Sequence, residues 1–206
     1  MKSLPSRPRS RSSKILLSVA VLGAAGSIAG LGTFATFTSS TSASHTVASG
    51  TVVIALGASG SANRLSVGAT GLAPGDTMER AVDVINNGTL DMASVALATS
   101  ATTSSLLDTD TTNGLQMVID KCSVAWTESG PPYTYTCGGS TSSVLSSRAV
   151  IQTGVTLSNL SALTAGNTDH LRVTLTFPSG AGNSFQNKSS TIQYTFTGTQ
   201  RSGTDK

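Results

Sequence analysis

Apolar and polar residues alternate at period two through much of the chain. Leu171, Val173, Leu175 and Phe177 share one face of an extended segment, as do Ile192, Tyr194 and Phe196 near the C-terminus. Val82 and Val84, Val95 and Leu97, and Val155 and Leu157 are shorter cases. Alternate side chains of a strand point to opposite faces, so this pattern predicts strands with one buried and one wet face, and two sheets closing on each other. The breaks between segments carry turn chemistry. Ala73-Pro74-Gly75-Asp76 puts Pro and Gly where a type II turn needs them, and Asn86-Asn87-Gly88 offers positive φ for a tight reversal. Further breaks fall at Asn113-Gly114, at Ser129-Gly130-Pro131-Pro132, at Ala165-Gly166-Asn167 and across 179–183. The expected fold is all-β and antiparallel, a β-sandwich or jelly roll.

The first fifty residues break this rhythm. Lys2, Arg7, Arg9, Arg11 and Lys14 precede an apolar stretch from Ile15 to Leu31, then Gly32-Thr33-Phe34-Ala35 and a Ser/Thr tract. A cationic start, an apolar core and small residues at a cleavage point are the parts of a secretory signal peptide, because the cations stay cytoplasmic while the helix enters the bilayer. An uncleaved anchor is the alternative, since the stretch approaches the length of about 17 to 25 residues that spans a bilayer. Its Ala, Gly and Ser content, and the lack of a basic residue after it, favour cleavage between Ala35 and Thr36. The expected organisation is a signal-peptide helix over 1–35, a polar extension over 36–48 and a sandwich domain over 49–206. By composition alone the extension reads as a flexible leader.

Cleavage changes the charge. Five of the 13 Lys and Arg residues precede the cut, leaving eight against 10 acidic residues, a net of −2. Those eight are scattered singly, so no basic patch is available to neutralise phosphates, and no nucleic-acid partner is expected. The membrane is met only transiently, through the signal peptide. About 170 residues remain, enough for one domain with its own core. Few residues are charged or aromatic, and Ser, Thr, Gly, Ala and Val dominate, which favours strands.

An exported chain meets an oxidising compartment, which makes a disulfide between Cys122 and Cys137 the expected state, with two free buried thiols as the alternative. Paired across a hairpin, the cysteines would set Val124 opposite Tyr135 and Trp126 opposite Tyr133, with Ser129-Gly130 at the turn. Upstream, Leu115, Met117 and Ile119 occupy odd positions whereas Cys122, Val124 and Trp126 occupy even ones, so a bulge or sheet change is expected near Asp120 and Lys121.

Catalytic signatures are sparse. His45 lies in the polar extension and His170 opens an apolar strand; no His-Glu-x-x-His pair supplies two imidazoles one turn apart. Asp169 beside His170 has the makings of an oriented base, but no motif places a nucleophile there. From Asp108 to Gly114, oxygen-bearing residues alternate as in a calcium loop, with Asp108 and Asp110 as the candidate ligands. The glycine comes one position late, however, and Ile119 stands where a bidentate Glu is needed, so a polar loop is the simpler reading. No cofactor is expected. Trp126, Tyr133 and Tyr135 would suit either a sugar platform or buried cross-strand packing, and packing is the simpler explanation.

An ordered set of short motifs resembles the TasA/camelysin family of secreted bacterial proteins. Gly32-Thr33-Phe34-Ala35-Thr36-Phe37 is similar to the family's cleavage region, and Ala48-Ser49-Gly50-Thr51-Val52 to its first strand. Gly71-Leu72-Ala73-Pro74-Gly75-Asp76 and Asn86-Asn87-Gly88-Thr89-Leu90 match its turns, and Phe196-Thr197-Gly198-Thr199-Gln200 resembles its closing strand. The segment holding Cys122 and Cys137 departs from the best-known matrix members. The resemblance implies a jelly-roll sandwich, processing by a dedicated signal peptidase, and head-to-tail homopolymers in a biofilm matrix or at the cell surface. It also implies donor-strand complementation, in which residues from Thr36 to about Ala48 complete a neighbour's sheet, with Phe37 and Val47 as apolar anchors. Competing functions are a camelysin-like metallopeptidase and a monomeric adhesin or glycan-binding module. N-terminal sequencing of the exported protein is expected to begin at Thr36; an N-terminus at Met1 would identify the uncleaved anchor.

Overall fold

The computed structural model describes residues 49–66 and 68–203. The predicted signal-peptide helix, the cleavage point at Ala35 and Thr36, His45, and the extension with Phe37 and Val47 lie outside the described residues. Ten strands follow in order: β1 (Ile54–Leu56), β2 (Thr77–Asn86), β3 (Met92–Thr103), β4 (Gln116–Cys122), β5 (Trp126–Ser129), β6 (Thr134–Cys137), β7 (Thr141–Ala149), β8 (Gln152–Thr156), β9 (Thr168–Thr176) and β10 (Thr191–Gln200). A single helical turn, α1 (Leu106–Thr109), and a 3₁₀ turn at Asn183–Phe185 interrupt them.

Every strand pair is antiparallel. One sheet has the order β1-β2-β9-β4-β7, the second β10-β3-β8, and β5 and β6 form a separate hairpin. The two larger sheets share one core, as the alternation predicts. Val82 and Val84 of β2, Leu171, Val173 and Leu175 of β9, and Met117 and Ile119 of β4 meet Val95 and Leu97 of β3. All are buried. Each contributes about 1.5–3 kcal/mol on leaving water, which is why the period-two pattern decides the pairing register.

At Ala73–Asp76 the type II turn forms as expected: Gly75 has φ +102° and the Asp76 amide donates to the Ala73 carbonyl at 2.9 Å. Asn86-Asn87-Gly88 works differently from the expectation, because none of the three takes positive φ. Instead Asn86 is fully buried, its side chain donating to the Leu90 carbonyl at 3.1 Å and accepting from the Gly88 amide at 3.0 Å. The chain around Thr51 and Val53 passes so close that a Cβ at Gly88 would collide with the Thr51 carbonyl and the Val53 amide. The glycine serves close backbone approach rather than chirality.

The expected bulge falls near its predicted place but on the other strand. β4 keeps strict alternation against β9 from Gln116 to Cys122, while its register with β7 slips between Met117 and Ile119 and again between Ile119 and Asp120. The extra residues belong to β7, where Val144 and Leu145 are consecutive and both buried. β4 needs no face change because both its faces are covered: Met117 and Ile119 point into the sandwich, and Cys122 points out beneath the hairpin.

Gly88→Ala is expected to destabilise the domain by about 1–3 kcal/mol, the range for overpacking a tight contact; thermal melts of the two proteins check this.

Candidate functional site

The outer face of the five-stranded sheet carries ion pairs that join its strands. Residues opposite one another across β2, β9 and β4 form rows: Ala81, Arg172 and Asp120 in one, Asp83, His170 and Cys122 in the next. The Arg172 guanidinium donates to Glu79 at 3.0 Å and to Asp120 at 3.3 Å. His170 Nδ1 lies 2.7 Å from Asp83 Oδ1. Asp169, its neighbour in sequence, faces the opposite side of β9. There its buried carboxylate accepts from the Ser161 and Ala162 amides at 3.0 and 2.7 Å and pairs with Lys121 at 3.2 Å. Consecutive strand residues point apart, so Asp83, and not Asp169, orients His170.

The β5–β6 hairpin lies over these rows. Its register is Trp126 opposite Cys137 and Glu128 opposite Tyr135, four residues away from the predicted pairing. The shift is even, so Trp126, Tyr133, Tyr135 and Cys137 keep the common face that the sequence predicts. Val124, expected opposite Tyr135, precedes the hairpin and is exposed. Cys122 is not a hairpin residue at all; it ends β4, and its disulfide to Cys137 ties the hairpin to the sheet, with Cα atoms 5.6 Å apart. A two-stranded ribbon alone is marginal in water, and closing this 15-residue separation contributes about 3 kcal/mol in the chain-entropy picture. Trp126, Tyr135, Cys122 and Ala81 form a small apolar cluster of their own, so Trp126 and Tyr135 are packing residues here.

Polar contacts complete the docking. The Trp126 indole N–H donates to the His170 carbonyl at 2.9 Å, and the Arg172 guanidinium sits 4.6 Å from the Trp126 ring centre. Arg64 donates two hydrogen bonds to Glu128, at 2.9 and 2.7 Å, and Tyr135 donates to the same carboxylate at 3.0 Å. Tyr133 has Arg64 at 4.8 Å and Arg80 at 5.3 Å from its ring centre. The hydrogen bond from Arg64 holds the Glu128 carboxyl below its usual range, against a smaller opposing effect of burial. The Tyr135 phenol is pushed up, first by burial.

Asp108 and Asp110, the candidate calcium ligands, aim their oxygens at their own surroundings. Asp108 closes a capping box on α1 with Ser105 and also accepts from the Ser104 and Ser190 hydroxyls. Burial works to raise its pKa, but these hydrogen bonds outweigh burial and lower it. Asp110 accepts from the Thr112 and Asn113 amides at 2.9 and 2.8 Å, an Asx turn.

A second feature lies on one side of the sandwich, where β1 and β10 are the neighbouring sheet edges. Leu56 and Leu65 face Ile192 and Tyr194 across a cleft of about 250 Å³. Burial pushes the Tyr194 phenol up to about 12, so it stays neutral across the physiological range. On the opposite side the Ser158 amide and hydroxyl donate to the Val144 carbonyl at 3.2 and 2.9 Å, and the Asn159 side chain donates to the Ser143 carbonyl at 2.8 Å.

Fold and site together define an antiparallel β-sandwich with a covalently stapled exterior hairpin and, among the described residues, an apolar cleft between β1 and β10. A family model described as camelysin metallo-endopeptidase matches residues 12–205. The chain therefore belongs to that family, the TasA/camelysin family, whose members are generally extracellular or surface-associated. No curated protein sequence matches it. The family description implies a metal, and the described residues do not fit one. Their single imidazole is turned to Asp83, their two cysteines are joined to each other, and no three of their His, Cys, Asp and Glu side chains gather into a metal-binding group.

Because the lowered Glu128 and Asp108 pKa values favour the charged forms in the folded state, their stabilisation is complete above the ordinary carboxyl range and is lost as pH falls through the lowered values. Denaturant midpoints are expected to be level from pH 7 to about pH 5 and to fall below about pH 4. Glu128→Gln is expected to lower the pH 7 midpoint and to converge with the parent in acid.

Proposed function

We propose that this protein is an exported structural subunit, not an enzyme, which polymerises head to tail into extracellular or cell-surface fibres of a biofilm matrix. The extension from Thr36 to about Ala48 is the donor strand, and the open flank between β1 and β10 is its acceptor. A signal peptidase frees the donor during export. The observation that supports this most is the asymmetry of the sandwich. Among the described residues β10 pairs only with β3 and β1 only with β2, with an apolar cleft between them, while on the far flank Ser158 and Asn159 bond to the Val144 and Ser143 carbonyls of β7.

An unpaired edge over an apolar cleft suits an added strand, because backbone hydrogen bonds supply affinity and alternate side chains fill the cleft. The ladder residues of β10 support this further. Ile192, Tyr194 and Phe196 stay only partly buried, whereas their counterparts Leu171, Val173 and Leu175 on β9 are buried throughout. Phe37 and Val47 are the extension's apolar anchors. One acceptor per subunit makes the contact heterologous, and such a contact extends into a filament when its rotation does not close.

Protein beginning at Thr36 is expected to form filaments by electron microscopy, and protein beginning at Ser49 to remain monomeric by sedimentation; equal assembly of both overturns the donor strand. Tyr194→Glu places a charge in the cleft and is expected to weaken assembly by about 100-fold or more, an effect of about 3 kcal/mol.

A further inference from the structure

The row Asp83, His170, Cys122 joins three groups that the fold alone brings together. Asp83 and His170 are 87 residues apart in sequence, yet directly opposite on β2 and β9; Cys122 is directly opposite His170 on β4. All three project from the outer face. His170 Nδ1 is held at 2.7 Å by Asp83 on the β2 side, and Cys122 is the residue opposite His170 on the β4 side. Facing pairs on neighbouring antiparallel strands have Cβ atoms about 4.5–5.5 Å apart. Carboxylate, imidazole and sulfur in this order are the components of an activated thiol, in which an imidazolium stabilises the thiolate and the carboxylate stabilises the imidazolium.

The sulfur of Cys122 is bonded to Cys137, and the two differ in access. Cys122 is buried, whereas Cys137 is only partly buried and lies at the end of the hairpin. We propose that the Cys122–Cys137 bridge is a thiol–disulfide exchange site, with Cys122 as leaving thiolate and His170, oriented by Asp83, as the group that stabilises it. An incoming thiolate, from a small dithiol or a partner's cysteine, attacks the sulfur of Cys137. A new bond forms between the two, the Cys122–Cys137 bond breaks, and its electron pair remains on Cys122 as thiolate, opposite His170 on β9. The incoming thiol is held on Cys137 as a mixed disulfide. No net oxidant is needed, because the incoming thiolate supplies the charge that Cys122 receives. A second thiolate from a dithiol completes the reduction by displacing Cys137, and the dithiol leaves as a disulfide.

The rate follows leaving-group acidity. A cation or hydrogen-bond donor beside the leaving sulfur favours its departure, so removal of His170 is expected to slow the reaction about tenfold. The sign separates this role from a structural one. A substitution that merely loosens the hairpin exposes the bridge and speeds its reduction, whereas loss of leaving-group stabilisation slows it.

The test uses the full oxidised chain, with dithiothreitol as reductant and maleimide trapping. His170→Gln is expected to reduce about tenfold more slowly than the parent, and Asp83→Asn more slowly as well. Hydrogen exchange over 126–137 monitors hairpin docking in each protein. With glutathione in place of dithiothreitol, mass spectrometry of the trapped intermediate is expected to find glutathione on Cys137 and maleimide on Cys122. A His170→Gln rate equal to or faster than the parent overturns the proposal, as does glutathione on Cys122.

Discussion

Strand β9 is covered on both faces, and the rest of the molecule is arranged around that constraint. It pairs with β2 on one side and β4 on the other, so its backbone groups are satisfied by ladders in both directions. Leu171, Val173 and Leu175 enter the sandwich core, and His170 and Arg172 emerge on the outer face. The outward residues are too polar to bury in an apolar layer and too closely framed by carboxylates to stand as an open basic patch. Arg172 is held between Glu79 and Asp120, and His170 by Asp83. That charge-paired surface is what the hairpin meets.

Covering a polar face with two short strands yields little hydrophobic stabilisation, since only Ala81, Cys122, Trp126 and Tyr135 are buried there. The deficit is made up by directional contacts and by a covalent one. Trp126 combines an apolar body with an N–H that reaches the His170 carbonyl, Glu128 gathers Arg64 and Tyr135, and the disulfide shortens the search of the unfolded chain. Bringing Cys122 out beneath the hairpin has a second effect, because the strand position that anchors the hairpin is also the one facing His170. Stapling and thiol chemistry therefore share an atom.

The two flanks of the sandwich are managed differently. Sheet edges are liabilities unless blunted. On one flank Ser158 and Asn159 bond to carbonyls of β7, while on the other β1 is only three residues long and, among the described residues, pairs with β2 and not with β10, whose one ladder is with β3.

The all-β class, the core strands and the Ala73–Asp76 turn were legible in the residues because they depend on local facts: alternation at period two, and Pro and Gly at fixed turn positions. The face shared by Trp126, Tyr135 and Cys137 was legible too, since parity survives any even slip, but the register of the hairpin was not. Disulfide spacing constrains which sulfurs meet without saying which strands carry them, and Cys122 proved to belong to the sheet. The role of Gly88 escaped the sequence reading because close approach involves a segment more than thirty residues away. The Asp83, His170, Cys122 row escaped it for the same reason. Period-two patterning states which face a residue takes; only the stacking order β2-β9-β4 and its register decide which residues become neighbours on that face, because ladder pairing sums contributions along whole strands that no single position reveals.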